Sequence, residues 1–148
     1  MFRQIKIIYS SLLATSAMTL FSYLYSIITN DNTREPELLA KLLRRLTPGK
    51  SRRNSRYTGW VVHYSVGLLF AELYDRIWQK QPRHLNVRNG LIFGGLTGIS
   101  AILIWKFTLD IHPYPPAINF GSFALNLFLA HLVFGLFNAL AYQPSKKK

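Results

Sequence analysis

The sequence predicts an all-α fold: an integral membrane bundle of four transmembrane helices, with a short amphipathic interfacial helix in the first loop. Two observations predict this class. Charged residues are concentrated in short segments, which leaves four apolar stretches of about 20 residues, enough to cross a hydrocarbon core of about 30 Å. None of these stretches shows the period-two alternation of a membrane β-barrel strand. We expect residues 1–148 to form a single membrane domain.

The first transmembrane helix is predicted for residues 7–28, which contain no charged residue. Arg3 and Lys6 precede this stretch, as basic residues precede the apolar segment of a signal peptide. The apolar segment of a signal peptide is usually about 7–15 residues long, and the stretch here is longer. We therefore expect it to form a membrane helix.

A polar and basic loop is predicted for residues 30–56. Its leucines recur at the i, i+3 and i+4 spacing of an amphipathic helix, which we expect over residues 35–46 and lying on the bilayer. A basic run follows, with Lys50, Arg52, Arg53 and Arg56. Beside a membrane helix, such residues attract anionic lipid head groups by about 1 kcal/mol per charge. Nucleic acid is the disfavoured partner, because the run lacks aromatic residues for base stacking.

The second transmembrane helix is predicted for residues 57–79. Trp60 and Trp78 are 18 residues apart, or about 27 Å along a helix, which would place one indole at each membrane interface. Three charged residues interrupt the end of this stretch: Glu72, Asp75 and Arg76. A buried helix of a soluble protein is the alternative, and the lack of a polar face on the neighbouring stretches argues against it.

The third and fourth transmembrane helices are predicted for residues 89–109 and 117–142. The third contains a single charge, Lys106, and the fourth contains none. An even number of helices places the N and C termini on the same side of the membrane. The 18 Lys and Arg residues divide evenly between the two faces, so the positive-inside rule predicts no orientation.

Small residues predict how these helices pack. Glycines allow the close backbone approach on which helix association in lipid depends. The candidates for helix packing are Gly67, Gly90, Gly94, Gly98 and Gly135. Because three of them lie in the third transmembrane helix at i, i+4 spacing, we expect that helix at the centre of the bundle. A homo-oligomer formed through the same glycines, or a partner in a membrane complex, is the alternative use of this stripe.

Ionisable residues within membrane helices are candidates for function because they are costly to bury. Counting residues along the helices places Glu72 and His131 at a similar depth, about 14–20 Å from one face. Such a pair could transfer a proton or form a hydrogen bond between helices. His63 lies closer to that face, which argues against a metal or haem held jointly by His63 and His131.

A second polar group is predicted near that face. His63 and Tyr64 are level there with His112, which follows the third transmembrane helix in a proline-rich loop. The prolines end that helix and make the loop stiff. The loop could therefore be purely structural, or His112 could help to bind a ligand at the mouth of the bundle.

The sequence offers no catalytic motif. It has no Cys, which excludes disulfides, thiol nucleophiles and cysteine-ligated metals. It also lacks the nucleophile elbow, the Walker loop and the His-Glu-x-x-His zinc motif. No cofactor or metal is expected, because the candidate ligands lie at separate depths.

Two runs of residues resemble a known family. Residues 59–71 read Gly-Trp-x-x-His-Tyr-x-x-Gly-x-x-Phe-Ala, and residues 131–135 read His-x-Val-Phe-Gly. They are similar to the runs found in a family of small bacterial four-helix inner-membrane proteins of unknown function. The resemblance implies a multi-pass protein of the bacterial inner membrane, in which His63, Tyr64, Gly67 and His131 are recurring positions. It implies no activity.

Three functions remain open on the sequence alone. The first is a structural or accessory membrane protein without enzymatic activity, with its basic loop on anionic lipid. The second is a small proton-linked transporter or channel component that uses Glu72 and His131. The third is a membrane enzyme acting on a lipid or quinone near His63 and His112, which requires His63, Tyr64 and His112 to converge.

Overall fold

The computed structural model describes residues 2–47, 49, 51–81 and 85–142. These residues form five helices and, within those ranges, no strand, so the predicted all-α class is confirmed. The helices are α1 (Phe2–Thr29), α2 (Glu35–Leu46), α3 (Arg52–Lys80), α4 (Val87–Ile111) and α5 (Phe120–Ala141).

Helix starts are set by capping side chains that the apolar pattern does not reveal. α3 begins at Arg52, before the predicted position 57, because the Ser51 hydroxyl accepts a hydrogen bond from the Asn54 N–H at 3.2 Å. α5 begins at Phe120, after the predicted position 117, because Asn119 caps it through the Ser122 N–H at 3.3 Å. Most of the basic run therefore belongs to the first turns of α3.

Among the described residues, three helices are long and apolar enough to cross a membrane: α1, over Arg3–Thr29, with α4 and α5. They indicate a membrane protein. α3 is long enough, with 29 residues, but it is not one of the three. Trp78 of α3 is buried against the rings of Tyr74 and Tyr142, so this indole packs inside the bundle and does not face outward.

The centre of the bundle is α5, which packs against both α4 and α1. α3 packs against α1 and α2. The expectation that residues 89–109 form the centre is wrong, since 28% of the membrane-length window of α4 is buried against 44% of that of α5. The glycines of α4 face α5, and the outer surface of α4 carries apolar side chains such as Leu96 and Leu103.

Glycines do lie where helices approach most closely. A Cβ atom at Gly90 would be 2.6 Å from the Gly135 carbonyl oxygen, and one at Gly94 would collide with the His131 carbonyl oxygen. Gly98 also contacts α5, and Gly67 faces Thr15 of α1. The stripe on α4 is thus used within the chain. Sequence reasoning missed Gly59, where a Cβ would be 2.5 Å from the Pro36 carbonyl oxygen of α2.

The distribution of polarity is inverted relative to a protein folded in water. α1 buries a stripe of hydroxyl side chains: Ser10, Ser11, Thr15, Thr19, Ser22 and Ser26. Its outer face carries exposed Ile5, Ile8, Leu12, Leu20, Leu24 and Ile27. Polar groups inside and apolar groups outside are the arrangement that suits a lipid environment, where small and hydroxyl residues join the helices.

Candidate functional site

A cavity of about 160 Å³ lies inside the bundle and is lined by residues from all five helices. Most of its wall is apolar or aromatic, including Met18, Phe70, Trp105 and Leu127. Three titratable residues also line it: Glu35 of α2, His63 of α3 and His131 of α5. A mostly apolar cavity with a few convergent polar groups is the usual form of a small-molecule site.

Glu35 brings a carboxyl group from the first turn of α2 into this cavity, and the residue is 2% exposed. Its Oε1 accepts hydrogen bonds from the Ser22 hydroxyl at 2.9 Å and from Asn126 Nδ2 at 3.2 Å. Its Oε2 is buried and has no hydrogen-bond partner among the described residues. Burial raises the pKa of Glu35 to about 7, because the hydrogen bonds to its own backbone, to Ser22 and to Asn126 only partly offset the loss of hydration.

The neighbours of His63 determine its neutral tautomer. His63 Nε2 lies 2.8 Å from Thr19 Oγ1. The hydroxyl of Thr19 donates its one proton to the Thr15 carbonyl oxygen at 2.6 Å. In the Thr19–His63 bond, Nε2 is therefore the donor and Oγ1 the acceptor. The neutral ring then carries a lone pair on Nδ1.

The neutral tautomer of His131 is also determined by its hydrogen-bond partner, here a backbone carbonyl group. Its Nδ1 lies 2.8 Å from the Leu127 carbonyl oxygen, which can only accept, so Nδ1 donates. The Phe70 ring lies edge to face with the imidazole, with 5.8 Å between the ring centroids. The neutral ring of His131 is thereby left with a lone pair on Nε2.

Glu72 does not join this site, although its depth suggested a pair with His131. Its side chain is 42% exposed and its Oε1 accepts a hydrogen bond from Arg76 at 2.7 Å. The neighbouring carboxyl of Asp75, one turn further along α3, is the buried one. Depth was estimated by counting residues, but the rotation of α3 turns Glu72 outward.

Tyr64 and His112 are also apart from the cavity, and each has its own partner. The Tyr64 hydroxyl lies 2.9 Å from that of Ser16 on α1. His112 Nε2 donates to the Leu42 carbonyl oxygen at 3.2 Å, and its Nδ1 accepts from the Tyr114 N–H at 3.0 Å. His112 thus joins the proline-rich loop to α2. The rings of His63 and Tyr64 contact each other edge to face, with 5.9 Å between their centroids, but the contacts of His112 do not bring it to this pair.

The basic residues predicted to meet lipid head groups lie at the start of α3. Arg52, Arg53 and Arg56 are exposed, and Lys50 lies outside the described residues. Arg53 extends over the ring of Tyr57 at 5.8 Å. Together with Lys41 and Arg44 of α2, Arg52 and Arg56 line a shallow surface hollow.

At the other end of the bundle, Asp75 forms a second polar centre. Its carboxylate is fully buried and accepts a hydrogen bond from Arg3 Nε at 2.8 Å, and one from the Tyr142 hydroxyl. Gln79 also donates to the Tyr142 hydroxyl, at 3.0 Å. We call these four residues, Arg3, Asp75, Gln79 and Tyr142, the Asp75 cluster. It joins α1, α3 and the end of α5.

Sequence reasoning missed Glu35 and Asn126. Glu35 was counted as the polar start of a surface helix, and the uncharged Asn126 drew no attention inside an apolar stretch. Pro36 in the first turn of α2 supports a helix start at this point, but it does not indicate that Glu35 is buried. In the described ranges, no three His, Asp or Glu side chains are placed to hold a metal ion together.

Comparison with known proteins does not assign the site. No family model, curated protein or solved structure matches the chain. The family resemblance of residues 59–71 and 131–135 therefore stays a prediction. The site is defined by its geometry alone.

Proposed function

We propose that the protein is a multi-pass integral membrane protein whose four long helices all cross the bilayer, with both termini on one side. We further propose that it is a structural or accessory component without enzymatic activity, located in a bacterial inner membrane as its family resemblance implies. α2 lies at the membrane interface, and the exposed Arg52, Arg53 and Arg56 meet anionic head groups there.

The observation that carries this proposal is the inverted polarity of α3. Its apolar side chains face outward: Val61 is 65% exposed and Leu69 is 66% exposed. Its polar side chains His63 and Asp75 are buried. In water, such a helix would expose its apolar side and bury costly polar groups. In lipid, the outer side chains are solvated and the inner groups bond to other helices.

Single-cysteine labelling tests the crossing of α3, and the absence of native Cys removes any background. We would place one cysteine at Ser51, one at Gln81 and one at Leu69, in separate variants of the full chain. A membrane-impermeant maleimide should label Ser51→Cys and Gln81→Cys from opposite sides of sealed vesicles. It should label Leu69→Cys only weakly in intact membranes. Labelling of both ends from the same side would contradict the proposal.

Proton-linked transport is the second candidate, and the titratable groups on the cavity favour it. In this candidate, Glu35 replaces Glu72 as the carboxyl group that works with His131, because Glu35 and His131 both line the cavity while Glu72 is exposed. In proteoliposomes, a pH-driven flux should be lost in Glu35→Gln and kept in Glu72→Gln. Equal flux in the wild type, Glu35→Gln and Glu72→Gln would contradict proton-linked transport through Glu35.

An enzyme acting on a lipid or quinone near His63 and His112 receives less support. General acid–base catalysis needs its groups within hydrogen-bond reach of one substrate. His63 bonds to Thr19 inside the bundle, whereas His112, in the proline-rich loop, bonds to the Leu42 carbonyl oxygen of α2.

A further inference from the structure

The polar groups on the cavity share one chemical property: in their neutral or basic forms they offer acceptors. The hydrogen bond to Thr19 leaves His63 with a lone pair on Nδ1, and the bond to Leu127 leaves His131 with one on Nε2. Glu35 Oε2 is a buried oxygen without a partner in the described part of the chain. A ligand that complements this set must supply donors.

The cavity also lacks a positive charge to match Glu35. None of its lining residues is Lys or Arg. Arg34, the residue before Glu35, donates to Ser26 Oγ and pairs with Glu37. An isolated carboxylate in an apolar site is costly, so it stays protonated or takes up a cation.

We infer that this cavity binds a small lipophilic ammonium ion, whose N–H groups bond to the Glu35 carboxylate and whose apolar body packs against Phe70, Trp105 and Leu127. The inference deepens the second candidate function and rests on the proposed embedding in lipid. It names the class of substrate and gives Glu35 the role of its counter-ion.

The wall and the volume favour an organic cation over a metal ion or a hydrated inorganic cation. Phe70 and Trp105 offer ring surfaces, and ammonium groups are attracted to the faces of aromatic rings. A cavity of about 150 Å³ lined by apolar side chains accommodates a molecule the size of benzene. The cavity here is about 160 Å³, which suits one six-membered ring with a short amine.

Access to the cavity lies between α3 and α4. Val66 of α3 and Ile104 of α4 both line the cavity, and they are 42% and 59% exposed on the outer surface. In a membrane, that surface faces the lipid. A ligand would therefore reach Glu35 sideways from the bilayer, which selects for lipophilic molecules.

Cation binding and protonation exclude each other at Glu35. Because burial raises the pKa of Glu35 to about 7, raising the pH from 6 to 8 frees the carboxylate and should tighten binding by about tenfold for one titrating group. His63 from α3 and His131 from α5 are the other titratable groups on the cavity, whereas α1 faces Glu35 with Ser22 and α4 contributes no titratable group. Protonation of either imidazole would repel the cation and act in the same direction.

Calorimetric titration with benzylamine tests the inference on the purified full chain in detergent. We expect saturable binding at pH 8 that is at least tenfold weaker in Glu35→Gln and unchanged in Glu72→Gln. Benzyl alcohol, which has the same shape without the charge, should bind at least tenfold more weakly than benzylamine. This comparison needs no variant and decides the question even if Glu35→Gln fails to fold.

Three results would overturn the inference: equal binding of benzyl alcohol and benzylamine, equal binding by wild type and a folded Glu35→Gln, or no saturable benzylamine binding by the folded protein. The labelling experiment on α3 is independent of these results. If both ends of α3 label from opposite sides and benzylamine does not bind, the membrane topology stands and only the ligand assignment fails.

Discussion

The two ends of the bundle treat a buried carboxyl group differently. In the half that contains the Asp75 cluster, the Asp75 carboxylate bonds to Arg3 and to Tyr142. In the half that contains the cavity, Glu35 keeps one carboxyl oxygen without a partner among the described residues. A fully paired buried charge joins helices, whereas an unpaired buried carboxyl group marks a site that can bind a ligand or exchange a proton.

The contacts between α3 and α4 also differ between these two halves of the bundle. In the Asp75 half, the Tyr74 hydroxyl bonds to Thr97 Oγ1 at 2.9 Å, and the Tyr74 and Phe93 rings are 5.5 Å apart. In the other half, Val66 of α3 and Ile104 of α4 both line the cavity. One end of the bundle is closed by direct contacts, and the other is held open by an intervening space. The stability of the bundle therefore depends mainly on one end of these helices, and the access of a ligand depends on the other end.

The largest expected effect is in the closed half, from Gly135→Ala. The added Cβ would collide with the Gly90 carbonyl oxygen and lie 2.9 Å from Gly94 Cα. Both are backbone atoms, so α4 and α5 must separate, at a cost of about 3 kcal/mol or more. The matched control is Gly95→Ala, whose Cβ would be 3.7 Å from Leu132 Cδ2. Circular dichroism melts in detergent should show a large loss for Gly135→Ala alone, and similar melts would contradict the packing.

The next largest effect should come from Asp75→Asn. This change removes the charge that Arg3 and the Tyr142 hydroxyl share, and it leaves these groups poorly matched. We expect a fall in melting temperature second only to that of Gly135→Ala. Asp110→Asn is the control, because Asp110 pairs with Lys106 on an exposed surface, where a salt bridge contributes little. Equal melting of the two variants would mean that Asp75 does not hold the closed end together.

In the cavity half, the expected effect is a dependence of stability on pH. With the pKa of Glu35 raised from 4.5 to about 7, the folded protein keeps a proton that the unfolded chain has released. The contribution of Glu35 to stability should therefore fall as the pH rises from about 4.5 to 7, by about 3 kcal/mol in total, and change no further above that range. Melting curves of Glu35→Gln should lack this component. A wild-type profile that superimposes on that of Glu35→Gln would contradict the burial of an unpaired carboxyl group.

The sequence predicted the number and type of helices more successfully than the direction of their side chains. Apolar length and capping chemistry are local, and α2 covers the predicted residues 35–46. The rotation of an apolar helix is not local, because every side of it can face lipid. Counting depth therefore selected Glu72, which faces outward, and placed His63 and His131 on different levels, although both line one cavity.

A signal for the rotation of α3 was nevertheless present. Five residues recur at a spacing of four and are all buried: Gly59, His63, Gly67, Ala71 and Asp75. The small members mark the side on which another helix can approach. Extending that stripe would have turned Asp75 and His63 inward and Glu72 outward. Nothing comparable predicted Glu35, since its burial depends on how α2 folds back against α1 and α5.

The smallest effect on stability, and a selective one on binding, is expected from Val66→Trp. Val66 lies at the opening between α3 and α4, and an indole there would fill much of a space of about 160 Å³. Because the side chain is 42% exposed, we expect stability to stay within about 0.5 kcal/mol. Benzylamine affinity should fall at least tenfold.

Val61→Trp provides the matched control for that variant. Val61 lies on the same helix and is 65% exposed, but it does not line the cavity. Added aromatic surface that merely changed how benzylamine partitions into detergent would affect both variants alike. Loss of binding in Val66→Trp alone therefore locates the ligand between α3 and α4, whereas normal binding in Val66→Trp would mean that the open half admits its ligand by another route.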